Sequence, residues 1–342
     1  MKKTIIKLLT ICLALCLVLP MAWISGCSGS NGGETYVYQS NNDGTHRKTN
    51  TKTNQAVIED CSGGNATCSA KAVCAFCNQS YGEIGDHQYS NDKCTLCEQD
   101  MPISQYLKYT LVNGNEYKVS KGDCIEYNIY IPSTYQGKKV TMIDYYAFSG
   151  SNQIKSVVMQ ENITVISQGA FNQCTALKKV VLPKGLVEVG PDAFRGCAKL
   201  NQVIMPNSVV RLGGNSFNGC TQLEKVVISE NLEKISNSMF ENCSSLKEIT
   251  IPNGVKMISQ YAFASCISLE RIIIPASVET VGDYVFNACK VNIKILCEAT
   301  AKPSGWNTNW DTSHAVYWYS ETAPTGDQLC WHYVNGVATI WN

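Results

Sequence analysis

AFNQCTALKKVVLPKGLVEVGPDAF, residues 170–194, decides the fold. The segment runs from Phe171 to Phe194, 23 residues apart. The same interval links Phe148, Phe171, Phe194, Phe217, Phe240, Phe263 and Phe286 without a slip. Self-similarity at one fixed period marks a stack of structural repeats. Other columns keep the step. Three residues after the last six Phe stand Cys174, Cys197, Cys220, Cys243, Cys266 and Cys289. Six after the Phe come Leu177, Leu200, Leu223, Leu246 and Leu269, with Ile154 in the first repeat. Aliphatic residues recur nine and eleven after it, as in Val203 with Met205 and Ile272 with Ile274. Pro183, Pro206, Pro252 and Pro275 follow directly. Two more apolar columns begin at Ile163 and Ile166.

The ninth and eleventh positions share one face of a strand, because strand side chains alternate. Proline lacks a backbone donor and stops the strand. Each repeat is therefore expected to be one short strand, a turn, and a return segment carrying the Phe and the cysteine. One repeat cannot bury its own apolar side chains. Stacking in register closes the backbone ladder and shares the core.

If positions nine and eleven point inward, eight and ten point out. The tenth column reads Val158, Val181, Ile204, Val227, Thr250, Ile273 and Leu296. The eighth reads Ser156, Lys179, Gln202, Lys225, Glu248, Arg271 and Lys294. An aliphatic ridge beside a mostly basic row is expected along the stack, about 30 Å long over seven strands. Apolar strips of that size mark contact sites. The alternative is that β-branched residues stand there for strand propensity alone. The candidate ligand-binding residues are Val158, Lys179, Val181, Gln202, Ile204, Lys225, Val227, Glu248, Arg271 and Ile273. One buried cysteine per coil is expected as a small apolar side chain in the core.

These columns resemble the BspA-like class of bacterial leucine-rich repeats, from about residue 109 to the C-terminus. The resemblance implies an α/β-class leucine-rich-repeat solenoid, dominated by short parallel strands with non-regular or short helical return segments. It also implies a surface protein with adhesion or host-protein binding as its role. Residues 148–296 hold the regular repeats. Before them, residues 101–147 are read as an N-terminal cap and an atypical first repeat. Asn113-Gly114 between two strand-like runs signals a hairpin. Pro132 lies 16 residues before Phe148 rather than 11, a five-residue insertion. After them, residues 297–342 hold five of the six Trp: Trp306, Trp310, Trp318, Trp331 and Trp341. They read either as a cap closing the open end of the stack or as an aromatic platform for sugar rings.

The N-terminus has its own grammar. Lys2, Lys3 and Lys7 precede an apolar run, residues 5–19, too short for a comfortable membrane span. Ile24-Ser25-Gly26-Cys27 then resembles the lipobox of bacterial lipoproteins, with Ile where Leu is usual. Residues 1–26 are read as a lipoprotein signal peptide and Cys27 as the site of lipid attachment. Residues 27–58 are read as a flexible tether, which begins Ser-Gly-Ser-Asn-Gly-Gly. Residues 59–100 form a Cys-rich module in which Cys74/Cys77 and Cys94/Cys97 are separated by 16 residues, a zinc-ribbon spacing. Two such turns complete a tetrahedron around one structural zinc, with His87 as a substitute ligand. Disulfides are the competing reading, because the module is expected outside the cytoplasm.

Charge adds an exclusion. Lys plus Arg and Asp plus Glu both number 28, so no global field draws the chain to nucleic acid. The four His have no Ser, Cys or paired carboxylate at an interpretable spacing, and neither HExxH nor GxSxG occurs. The sequence therefore points to a non-enzymatic, membrane-anchored surface protein. Its expected partner is an extracellular or host protein; the alternatives are a glycan bound by the aromatic C-terminal cap, or a passive structural role in the surface layer.

Overall fold

The structure, a computed structural model, describes residues 101–341 and eight short strands before them. Those strands are Gly26–Asn31, Glu34–Ser40, Thr45–Asn50, Ala56–Asp60, Ala72–Val73, Ser80–Tyr81, Tyr89–Ser90 and Lys93–Cys94. The chain divides into two compact units, residues 1–88 with 94–98, and residues 89–93 with 99–342.

In the first unit the first four strands form an antiparallel meander in chain order. Gly26 pairs with Gln39, and Thr45 with Asp60. Residues 27–58, expected as a flexible tether, thus carry strands. Residues 28–33, 39–45 and 48–55 keep the polar composition of a linker, and the apolar and aromatic residues lie outside these runs. Tyr36, Val37, Tyr38, Val57 and Ile58 are residue types that favour a pleated surface. The signal segment and the side chains of the Cys-rich module lie outside the described residues.

In the second unit each coil contributes two strands and a chain of turns. The first strand row runs Asn128–Ile131, Ser156–Met159, Lys179–Val181, Gln202–Ile204, Lys225–Val227, Glu248–Thr250, Arg271–Ile274 and Lys294–Cys297. Its pairs are parallel and offset by one repeat, as in Val157 with Val180 and Ile272 with Ile295. The row is hydrogen-bonded in three stretches, with breaks before Gln202 and before Glu248. The second row is shorter: Lys138–Ile143, Val165–Ile166, Glu188–Val189, Arg211–Leu212, Lys234–Ile235, Met257–Ile258 and Thr280–Val281. It arises from the apolar column that begins at Ile166.

No helix occurs among the described residues. The return segments are non-regular, for a reason written in two columns. Tyr146, Gly169, Asp192, Asn215, Ser238, Tyr261 and Tyr284, two residues before each Phe, all have positive φ. So do Gly150, Gln173, Gly196, Gly219, Asn242, Ser265 and Ala288, two residues after it. A left-handed residue every four or so positions interrupts any right-handed helix. What remains is a run of tight turns, as in Cys174 N–H to the Phe171 carbonyl (3.1 Å) and Leu177 N–H to the Cys174 carbonyl (3.0 Å). Coil-to-coil bonds tie these turns into a third ladder. Phe171 N–H donates to the Ala193 carbonyl at 2.8 Å, and Gln173 N–H to Arg195 at 2.7 Å.

The core lies between the two strand rows and the turns. The seven Phe are buried and stack face to face, with ring centroids 5.1 to 5.9 Å apart. The six repeat cysteines are free and buried. Each thiol donates to the carbonyl of the Phe one coil back, as in Cys220 Sγ to Phe194 (3.2 Å). Burial holds the Cys174 and Cys220 thiols up at about 12 and Cys289 at about 11. These side chains therefore pack as neutral thiols.

Both ends are sealed. The hairpin Lys108–Val112 with Glu116–Ser120 turns at Asn113-Gly114, both at positive φ, and its second strand pairs with Lys138–Ile143. The five-residue insertion is a second hairpin. Thr134–Tyr135 folds back on Lys138–Lys139 through Gln136-Gly137, again both at positive φ. At the other end, Trp310 meets Phe286 edge-on at 6.1 Å and stops the Phe stack. Trp306 bridges Val281 and continues the second row by one residue.

Candidate functional site

The outer face of the first strand row carries the candidate residues. Lys179, Gln202, Lys225, Glu248, Arg271 and Lys294 of the eighth column are all exposed, while Ser156 is half-buried and its hydroxyl donates to Asn128 Oδ1 (2.8 Å). In the tenth column Val181, Ile204 and Val227 keep 40 %, 54 % and 42 % of their surface in solvent. Val158 and Ile273 are half-buried. Between these columns Val157, Val203, Ile249 and Ile272 point into the core. Alternation along a strand produces this division, and the buried partners fix its direction.

The ridge is not continuous, which corrects the expectation of one strip over seven strands. Thr250 interrupts it, and Leu296 is 1 % exposed. Leu296 is covered because the sheet does not end at Lys294–Cys297. Val316–Tyr319 and Cys330–Val334 add parallel strands, and Val337–Ile340 adds an antiparallel one. This extension curls back toward the face. Its strand Val337–Ile340 and the row-one strands from Lys225 to Leu296 enclose a groove of about 1450 Å³. The floor is Val227, Thr250, Ile273 and Leu296; the far wall is Ala338, Thr339 and Ile340.

Charge in the groove is uneven. Lys225, Lys247, Arg271, Lys290 and Lys294 face Glu224, Glu248 and Glu270, an excess of two cations. None of the ion pairs among the described residues involves these eight side chains. Lys247, Glu224 and Glu270 belong to the seventh column, one residue before the exposed eighth. Strand alternation weakens where a strand begins, so a seventh-column side chain can reach the same surface. The wall residues read from the sequence as one strand of a hairpin around Asn335-Gly336, and nothing in the repeat period places them beside the groove.

Three of the five C-terminal Trp pack inward. Trp306, Trp310 and Trp331 are buried. Trp306 Nε1 donates to the Val278 carbonyl (3.1 Å) and Trp331 Nε1 to the Cys297 carbonyl (2.8 Å). Their faces are occupied by protein, so these three rings form a cap and not a platform for sugars. Trp341 is half-buried and stacks on His332 at 3.6 Å, with Nε1 donating to the Ser320 carbonyl (3.0 Å).

Cys27 lies in the strand Gly26–Asn31 and Cys94 in Lys93–Cys94, but their side chains, like Cys74, Cys77, His87 and Cys97, fall outside the described residues. Among the described residues no group of three or more His, Cys, Asp or Glu is placed to hold a metal ion. No helix among them is long and apolar enough to cross a membrane.

Solved structures similar to the chain include a leucine-rich-repeat protein of T. pallidum, 26 % identical, covering 52 % of this chain and 83 % of that one, TM-score 0.49. A leucine-rich-repeat protein from Bacteroides ovatus is 24 % identical over 63 % of this chain and 70 % of its own, TM-score 0.44. A leucine-rich cell surface protein from Faecalibacterium prausnitzii is 18 % identical over 60 % and 97 %, TM-score 0.27. No curated protein matches the chain. The pattern described as BspA type Leucine rich repeat region matches in six copies over residues 124–221 and 164–294. That span takes in the stacked coils from Cys124 to Lys294, and with it the chain belongs to the BspA-type leucine-rich-repeat family.

Proposed function

We propose that this protein is a membrane-anchored surface lipoprotein that binds a protein partner through the outer face of its first strand row. The observation that carries the reading is the exposure of Val181, Ile204 and Val227 at the same position of three successive strands, Ile204 and Val227 being paired in register. The core behind them is filled by Val203 and Val226 without their side chains. Exposed aliphatic side chains in register, bordered by charges, suit a contact with an apolar centre and a polar rim. The leucine-rich-repeat solenoid is typically a scaffold for interaction, and the F. prausnitzii protein of similar pattern is a cell surface protein. The proposed anchor is a lipid on Cys27, supported by the Ile24-Ser25-Gly26-Cys27 sequence after a charged and apolar leader. The proposed Cys-rich module holds zinc through Cys74, Cys77, Cys94 and Cys97 as a structural ion.

The test is the triple variant Val181→Asp, Ile204→Asp and Val227→Asp in the full chain, screened with the parent against extracellular matrix proteins and a glycan array. The expected result is a protein partner that the parent binds and the variant loses, with the melting temperature nearly unchanged. A bound partner insensitive to the variant, or binding confined to glycans, refutes the reading.

A further inference from the structure

We infer that the groove accepts an extended segment of the partner by strand addition to the free edge of Val337–Ile340, and that this segment alternates acidic and aliphatic residues. The inference rests on the protein-binding reading above and names how one part of that surface engages its partner.

The edge is the first observation. Val337–Ile340 pairs with Cys330–Val334 on one side and, among the described residues, with nothing on the other. Its register joins Val334 to Val337 across the two-residue turn Asn335-Gly336, whose residues both have positive φ. In such a hairpin the pair closing the turn exchanges hydrogen bonds and alternate pairs do so thereafter. Trp341 N–H donates to the Cys330 carbonyl (3.1 Å), which fixes the same phase from the other end. Val337 and Thr339 therefore spend their backbone groups on the hairpin. Ala338 and Ile340 direct their N–H and C=O groups to the open side. A row of such groups is a template for another strand.

The second observation is where that edge lies. Ala338, Thr339 and Ile340, three consecutive residues, line the groove. A strand that lined it with its face would contribute every second residue. Consecutive residues mean that the strand meets the groove along its edge. An added strand would thus lie between this edge and the floor, with one set of side chains over Val227 and Ile273. The excess of unpaired cations, Lys225, Lys247, Arg271, Lys290 and Lys294 against three Glu, selects carboxylates for the remaining positions.

The probe is the fluorescein-labelled peptide Glu-Val-Glu-Val-Asp-Val-Glu-Val, titrated against the full chain by fluorescence anisotropy. A second peptide carries Lys at every acidic position. Two further versions are N-methylated, one on every Val and one on every acidic residue. Saturable binding of the first peptide is expected, with at least a tenfold loss for the Lys version. Strand pairing uses only one set of alternate amides, so one N-methylated version should lose at least tenfold and the other little. Ala338→Pro with Ile340→Pro removes the two free-edge donors and leaves the hairpin bonds, and should cost at least tenfold. Hydrogen exchange over residues 335–341 should slow when peptide is bound, which tests the pairing without any substitution. Absence of saturable binding overturns the inference, as does equal binding of both N-methylated versions. If Val227→Asp with Ile273→Asp abolishes binding while the edge variant and exchange are unaffected, edge pairing is refuted and the binding face stands. If the peptide never binds yet a protein partner is lost in the triple Asp variant, the edge inference alone falls.

Discussion

Truncating Phe217 to Ala should uncouple the two halves of the solenoid. Phe217 is fully buried, with Phe194 at 5.4 Å on one side and Phe240 at 5.8 Å on the other, both nearly parallel to it. Its backbone bonds survive in the variant, including N–H to the Met239 carbonyl (3.0 Å) and the Cys243 thiol on its own carbonyl (3.3 Å). The loss is therefore side-chain burial and ring contact. A buried Phe→Ala change costs about 3–5 kcal/mol. Two ring contacts at about 0.5–1.5 kcal/mol each favour the upper half of that range. Phe217→Leu keeps most of the volume and forfeits the ring contacts, so it should cost about 1–3 kcal/mol. Phe148 stacks on one Phe only, Phe171 at 5.1 Å, and should suffer less from the same truncation to Ala. In a stack coupled only between neighbours, a central lesion also separates the ends. Urea unfolding of the full chain, followed by circular dichroism and by hydrogen exchange, measures both effects. The expected result is a split transition for Phe217→Ala and a single shifted one for Phe148→Ala. A cost below about 2 kcal/mol at Phe217, with one undivided transition, refutes the reasoning, because the core would then tolerate a cavity that close packing forbids.

The repeat thiols should be silent toward Ellman's reagent at pH 8 in the native protein and react on unfolding. Because burial raises Cys174 and Cys220 from 9.0 to about 12, their contribution is intact below pH 9 and is lost as pH rises toward 12. Cys220→Ala should flatten the fall in stability by about 1.4 kcal/mol per pH unit over that window, and an unchanged slope would contradict the burial argument. Protein purified without chelator should carry about one zinc per chain if the Cys74, Cys77, Cys94 and Cys97 reading holds; no zinc together with no free thiol in residues 61–97 would assign disulfides instead. Cys27→Ala should release the full chain from membrane fractions and end incorporation of labelled fatty acid, and a variant that stays bound while the parent takes up no label would dismiss the anchor.

The interior of the solenoid could be read from the sequence because a stack repeats its constraints. Each core column sees the same neighbours in every coil, so Phe, Cys and Leu return at one interval. The turn columns obey the same logic but show it less clearly. Left-handed φ favours Gly and Asn, and Gly150, Gly169, Gly196, Gly219, Asn215 and Asn242 comply. Tyr261, Tyr284 and Ala288 adopt it too, held there by the ladder around them, and they blur the signal. The second strand row is two residues deep in most coils, too short for alternation to appear. The outward direction of Val181, Ile204 and Val227 followed from alternation. The groove did not, because its wall comes from residues that break the period. Trp310 stands 24 residues after Phe286 and Trp306 pairs with Val281 at a distance of 25, so a search for 23 stops one coil early.

The cap and the candidate site are one construction. An open coil would leave core and strand edge exposed, and the C-terminal segment covers both by continuing the first row through Val316–Tyr319 and Cys330–Val334. Trp331 is buried and ties the hairpin to the Cys297 carbonyl, while the Tyr333 hydroxyl donates to Glu298 Oε1 at 2.8 Å. Closing the stack this way removes Leu296 from the ridge and places Ile340 beside it in the groove. It also moves the unpaired edge from the end of the solenoid to the margin of its exposed face. Val227 and Ile273 then belong to two surfaces at once, the ridge toward Val181 and the groove toward Ile340. A partner that covers the ridge toward the C-terminal end must meet the cationic groove, so the apolar contact and the charge selection act on the same segment.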